Sequence, residues 1–162
     1  MAALVTEVFR WLEDSVWAVT IRQSVWLYPA LEVVHILGIV IIVGAAFMFD
    51  LRLLGFGREI SVQHLAGHLL SWSRRGLWLV VPSGFLLFIT DALALGYSFT
   101  FWLKMALLSL AGFNALIFHQ FTFASAAGWA TYQVAPIKAK AAAIISILLW
   151  LGVIICGRWL AY

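Results

Sequence analysis

Four long apolar stretches dominate this 162-residue chain and leave few folds open to it. The first runs from about Pro29 to Leu54, with no charge between Val33 and Phe49. The second runs from about Trp72 to Thr90 and is uncharged after Arg75. The third, from about Phe99 to Phe121, carries Lys104 as its single charge, and the fourth, from about Lys138 to Trp159, is uncharged from Ala141 to Gly157. A hydrocarbon core about 30 Å thick takes roughly 20 mostly apolar residues per helix, so each stretch is long enough to cross. The runs are continuous rather than alternating, which excludes a membrane β-barrel. The expectation is an all-α integral membrane four-helix bundle over residues 29–162, with no room for a separate soluble domain. Composition agrees. Hydrophobic residues make up 65% of the chain and charged ones 10%, against about 25% charged in an ordinary soluble domain. Disorder is excluded too, because the chain has ample apolar surface to bury. The net charge is +3, but the basic residues lie scattered between apolar blocks with no basic stripe, so nucleic acid is not an expected partner. A single cysteine, Cys156, allows neither an intrachain disulfide nor a cysteine-based metal site.

Residues 1–28 read differently. Leu4, Val5, Val8, Phe9, Leu12, Val16 and Trp17 recur at helical spacing, with Thr6, Glu7, Arg10, Glu13 and Asp14 opposite them. That pattern predicts an amphipathic helix, lying in the membrane interface with Trp11 and Trp17 at headgroup depth, or packed on the bundle. It lacks the basic start, apolar core and small-residue cleavage site of a signal peptide. Pro29 suits the first turn of a helix, where its missing N–H costs nothing. Arg52, Arg58, Arg74, Arg75, Lys138 and Lys140 fall on one side of the spans, and Arg10, Arg22, Lys104 and Arg158 on the other. The positive-inside bias therefore places both termini outside the cytoplasm.

Ionisable groups at membrane depth are costly, so each is a functional candidate. His35 sits about two turns into the first span, in LEVVHILG. Glu32, three residues earlier, shares its face, and Gly38, three residues later, clears a surface that a flat group can approach. The trio reads as a cofactor contact with His35 as metal ligand. The alternative is plain helix packing through Gly38, Gly44 and Ala45. His119 lies near the far end of the third span, and at 1.5 Å per residue its depth differs from that of His35 by roughly 20 Å. Two such ligands serve separate sites, one near each face, and a pair of stacked haems there would carry electrons across the bilayer; a single site is the simpler version. Lys104 and Met105 fall near the depth of His35, with Lys104 either a neutral ligand or a lysine snorkelling to the headgroups. His64 and His68, spaced i, i+4 on one helix face, fall near the depth of His119.

The remaining polar residues read as structural. Asp50 and Arg52 are expected in an interfacial charge cluster with Arg58, Arg74 or Arg75, which would also suit propionates or anionic headgroups. Asn114 is expected to hydrogen-bond another helix. Pro82, Ser83 and Gly84 should kink the second span. Asp91 ends that span, and the connector to Phe99 is short, so the second and third spans are expected to form a tight hairpin.

The run SVWLYPALEVVHILGIVIIVGAAFMFDLRLLG resembles small bacterial four-span membrane proteins classed under a domain of unknown function. Trp26, Tyr28, Pro29, Glu32, His35, Gly38, Gly44, Asp50, Arg52 and Gly55 match the pattern, and the third span is similar as well. The resemblance covers nearly the whole chain and is specific in the first span. More distantly, the chain is similar to the haem-binding protoporphyrinogen oxidase of bacteria and to copper-resistance membrane domains, which share a histidine-x-x-glycine step. Trp102, Leu103, Lys104 and His119 echo the order of a later span in the former. The resemblance implies a haem b protein of the bacterial inner membrane, working in electron transfer or oxidation as a membrane oxidoreductase. Taken with the depths and spacings above, it makes His35 and His119 the expected iron ligands, with Lys104, His68, Gly38 and Glu32 the other candidates around the cofactor. Quinone, a porphyrin or another membrane redox protein would be the partner besides the lipid bilayer. Two other readings stay open: a haem-free accessory module or homo-oligomer, and a small metal-handling transporter.

Overall fold

The computed structural model describes residues 2–122 and 135–160. Among these residues the fold is all-helical. In chain order the helices are α1 (Ala2–Glu13), α2 (Val16–Gln23), α3 (Leu27–Leu54), α4 (Val62–Thr90), α5 (Ala92–Tyr97), α6 (Phe99–Ile117) and α7 (Ile137–Trp159). A π-helical turn, Phe118–Thr122, continues α6. Three helical stretches are long and apolar enough to cross a membrane: Leu27–Leu54, Phe99–Gln120 and Ile137–Trp159. Their outward surfaces are apolar, with Val33, Ile36, Val40, Phe113, Leu148 and Ile155 among the exposed residues. Lipid can solvate such surfaces, and water cannot do so cheaply.

The second expected span is less clear-cut. Helix α4 has 29 residues, but its first half carries His64, His68, Arg74 and Arg75, and Pro82, Ser83 and Gly84 interrupt the second. It also starts ten residues before the expected Trp72. Val62 and Ala66 are buried, and Leu65 and Leu69 partly so. That one-sided apolar spacing holds a helix without uniform hydrophobicity.

Helix α3 is the centre of the arrangement. It packs against α4 on one side and α7 on the other, and α6 packs on α7. Helices α4 and α6 make no direct backbone approach, so the expected tight hairpin is not formed; the short helix α5 between them sets them apart. Close approach of α3 and α4 comes from paired glycines. A Cβ at Gly38 would lie 2.6 Å from Val80 Cγ2, and one at Gly76 would lie 3.0 Å from the Gly38 carbonyl oxygen. Asn114 donates from Nδ2 to the Ala142 carbonyl at 3.0 Å, the expected link between α6 and α7.

The N-terminal segment forms two helices rather than one. Ser15 breaks it, because its Oγ accepts from Ala18 N and so caps α2. Both helices close on the corner between α4 and α5. Phe9 meets Phe88 and Tyr97 edge-on at 6.1 Å and lies against Gly96, where any side chain would collide with it. Glu13 accepts from Leu93 N at 2.8 Å, and Arg22 donates to the Thr90 and Glu13 carbonyls. Trp11 and Trp17 stay exposed.

The charge cluster expected at the end of α3 is not formed. Arg52 is buried, and its guanidinium donates to the backbone carbonyls of Ile60 and Arg58 at 2.7 and 3.2 Å. It ties down a turn whose Gly55 has φ 113°, a left-handed value that favours glycine. Arg75 lies over the Trp72 ring instead, 4.9 Å from its centroid. Asp50 remains inside.

Candidate functional site

A cavity of about 930 Å³ runs between α3, α4, α6 and α7. Tyr28, Glu32, His35, Lys104 and Met105 line one end, and Asp50, Arg74, Asn114, His119 and Ser146 the other. Leucine, isoleucine, valine and phenylalanine make most of the wall between them.

His35 is the best-defined polar group in it. Its Nδ1 lies 3.0 Å from Ser83 Oγ on α4. Ser83 is buried, and its hydroxyl donates to the Leu79 carbonyl one turn back. A hydroxyl has one proton, so with that proton committed Ser83 Oγ can only accept from His35. This assigns the Nδ1–H tautomer and leaves the lone pair on Nε2. The ring also depends on Gly84, where a Cβ would stand 2.8 Å from His35 Cε1. Pro82, Ser83 and Gly84 thus seat the imidazole, beyond any bend they impose on α4.

Lys104 lines the cavity. Its Nζ lies over Gly157 of α7, 3.7 Å from where a Cβ would stand, within Coulombic range of His35. Glu32 is exposed but lines the same end. His119 sits on the π-helical turn, half-buried, lining the cavity and also facing Gln63, Ala66, Gly67 and Leu70 of α4. Single π turns inside helices often mark functional positions.

The residues expected at the site therefore divide. His35, Glu32, Lys104 and His119 border one cavity, with the two histidines at its opposite ends. Three other residues are not brought there. His68 is exposed, and its Nε2 accepts from Trp72 Nε1 at 3.2 Å, one turn along the same helix. His64 is exposed as well. Gly38 is covered by Val80, Leu79 and Gly76, so α4 fills the space that its missing side chain opens. Ser83, Gly84 and Asp50 were expected in structural roles, as a helix kink and a charge cluster, and the structure places them at the site instead. Their only signal was a polar or small residue inside an apolar run.

The fold and the cavity define a class: among the described residues, an all-helical protein with three helices long and apolar enough to cross a membrane and a cavity between its helices. The chain belongs to a family of unknown function, DUF6644, whose model matches residues 8–162. No curated protein and no solved structure matches it.

Proposed function

We propose that the chain is a four-span protein of the bacterial inner membrane that binds haem b between its helices and works in electron transfer or oxidation. In this reading α4 is the fourth span of a four-helix bundle, and α1 and α2 lie at the interface with Trp11 and Trp17 among the headgroups.

The observation that carries the proposal is the seating of His35. Metal-ligating histidines nearly always donate their other ring N–H to a fixed acceptor, which sets the tautomer and the ring orientation. His35 does so through Nδ1 to Ser83, leaving Nε2 as the ligating nitrogen on a ring that lines the cavity. The cavity volume of about 930 Å³ falls at the upper end of ligand sites, roughly 300–1,000 Å³, and between-helix placement is usual for bundle cofactors. Its wall is mostly apolar, and Lys104, Met105 and Glu32 lie at the His35 end. His119 stands at the other end as the second ligand candidate. Haem, when bound, would supply a one-electron couple whose potential follows its axial ligands and burial. Quinone, a porphyrin-like reductant or another membrane redox protein would be the electron partner.

The alternatives lose part of their basis. Gly38 and Ala45 are buried within the fold, so of the small residues proposed for oligomer contact only Gly44 faces outward. Among the described residues no group of three His, Cys, Asp or Glu side chains is placed to hold a metal ion.

The test is the visible spectrum of detergent-purified protein before and after dithionite. A Soret band that sharpens on reduction is expected, and His35→Ala should abolish or shift it while helicity is retained. A colourless protein that takes up no haem on reconstitution would sink the proposal.

A further inference from the structure

The end of the cavity away from His35 holds an acid that the haem reading does not use. Asp50 lies on α3 and is only 5% exposed, though it borders the cavity. Its Oδ2 is buried with no hydrogen-bond partner among the described residues. Arg52, two positions along, is turned to the carbonyls of Arg58 and Ile60. The ionisable groups on this part of the wall are Arg74 from α4 and His119 from the π turn. Helix α6 contributes Asn114, whose amide N–H is given to Ala142. Helix α7 contributes Ser146, close enough to hydrogen-bond the carboxyl, and no ionisable side chain.

The two protonation states of such a group differ sharply in cost. A carboxylate here would hold charge on a buried oxygen that no donor reaches among the described residues. A carboxylic acid leaves only a neutral carbonyl oxygen without a donor, a much smaller loss. Its O–H, on the other oxygen, can donate to Ser146 Oγ. We propose that Asp50 is held as a neutral carboxylic acid in the resting protein, making this end of the cavity a proton-binding site. A reaction in the cavity that releases or takes up a proton then has a group on the wall to exchange it with. The assignment does not depend on haem, since it follows from the burial and the bonding of Asp50 alone.

Infrared spectroscopy of the full chain in detergent, with and without aspartate carrying a ¹³C carboxyl, tests this. The chain has three aspartates, and Asp14 and Asp91 are exposed, so Asp50 is the buried one. The expected result at neutral pH is one carboxylic-acid carbonyl band that shifts with the label. It should lie at the high-frequency end of its range, because Oδ2 accepts no bond. It should vanish in Asp50→Asn and persist, now insensitive to the aspartate label, in Asp50→Glu. Absence of a label-sensitive acid band in the wild-type chain overturns the proposal, and so does a band that survives in Asp50→Asn. The labelled wild-type spectrum decides the question even if neither variant folds.

Discussion

Replacing Gly38 by alanine separates its two readings, cofactor surface and helix contact. The added Cβ would stand 2.6 Å from Val80 Cγ2, 3.0 Å from Leu79 Cβ and 3.1 Å from the Gly76 carbonyl oxygen. Carbon atoms prefer about 3.5–4.0 Å, so the nearest contact is short by about 1 Å. None of the three neighbours yields easily. Val80 is β-branched and held near one rotamer in a helix, Leu79 Cβ is fixed to its backbone, and the Gly76 oxygen is itself backbone. Helices α3 and α4 must therefore part locally, and such overpacking costs about 1–3 kcal/mol. Alanine returns up to about 1 kcal/mol in helix propensity. Gly44→Ala, on the same helix, is the matched control, because a Cβ there meets nothing within 4 Å. Propensity then cancels between the variants, and Gly38→Ala should be less stable than Gly44→Ala by about 1–3 kcal/mol. Unfolding of both in one detergent, followed by circular dichroism, measures the difference. Equal stabilities would refute the close α3–α4 contact. Equal stabilities with loss of a bound chromophore in Gly38→Ala alone would restore the cofactor reading.

Two further outcomes are expected. Ser83→Ala removes the acceptor that fixes His35, so nitrogen NMR of the imidazole should show a ring no longer held as the Nδ1–H tautomer, at a net stability cost of about 0.5–1.5 kcal/mol. An unchanged tautomer would mean that Ser83 does not set it. Asn114→Leu deletes one interhelical hydrogen bond, which in a membrane protein averages about 0.6 kcal/mol. Denaturant titration should register a loss of that order, and a loss several times larger would show that Asn114 does more than join α6 to α7.

Much of the architecture was legible along the chain, because a bilayer imposes its requirement locally. Every spanning residue must suit lipid, so the limits of α3 and α7 could be read to within two residues. The scarcity of ionisable residues in the apolar runs narrowed the search to His35, Lys104 and His119, all of which reach the cavity. Asn114 was legible for a similar reason: a deep amide has to bond somewhere, and here it bonds the neighbouring helix. The start of α4 was not legible, because its first turns are held by one apolar side and carry polar residues on the others.

The sequence by itself determined the helical class, the membrane setting and the short roll of polar groups. Tertiary structure alone decided which of these meet. Spacing along α3 says that Glu32, His35 and Gly38 share a face, but not that α4 fills the space over Gly38 while Gly84 leaves room for the imidazole. Nor could spacing give His35 its partner, since Ser83 lies 48 residues away and meets it only through the register of α4 on α3. Asp50 and Arg52 show the same limit: adjacent charges invite a pair, yet packing turned one to backbone carbonyls and left the other in the cavity. The physical reason is one of range. Solvation by lipid acts on each residue where it stands, whereas a hydrogen bond or a close contact depends on the mutual placement of two helices, which no single stretch of sequence encodes.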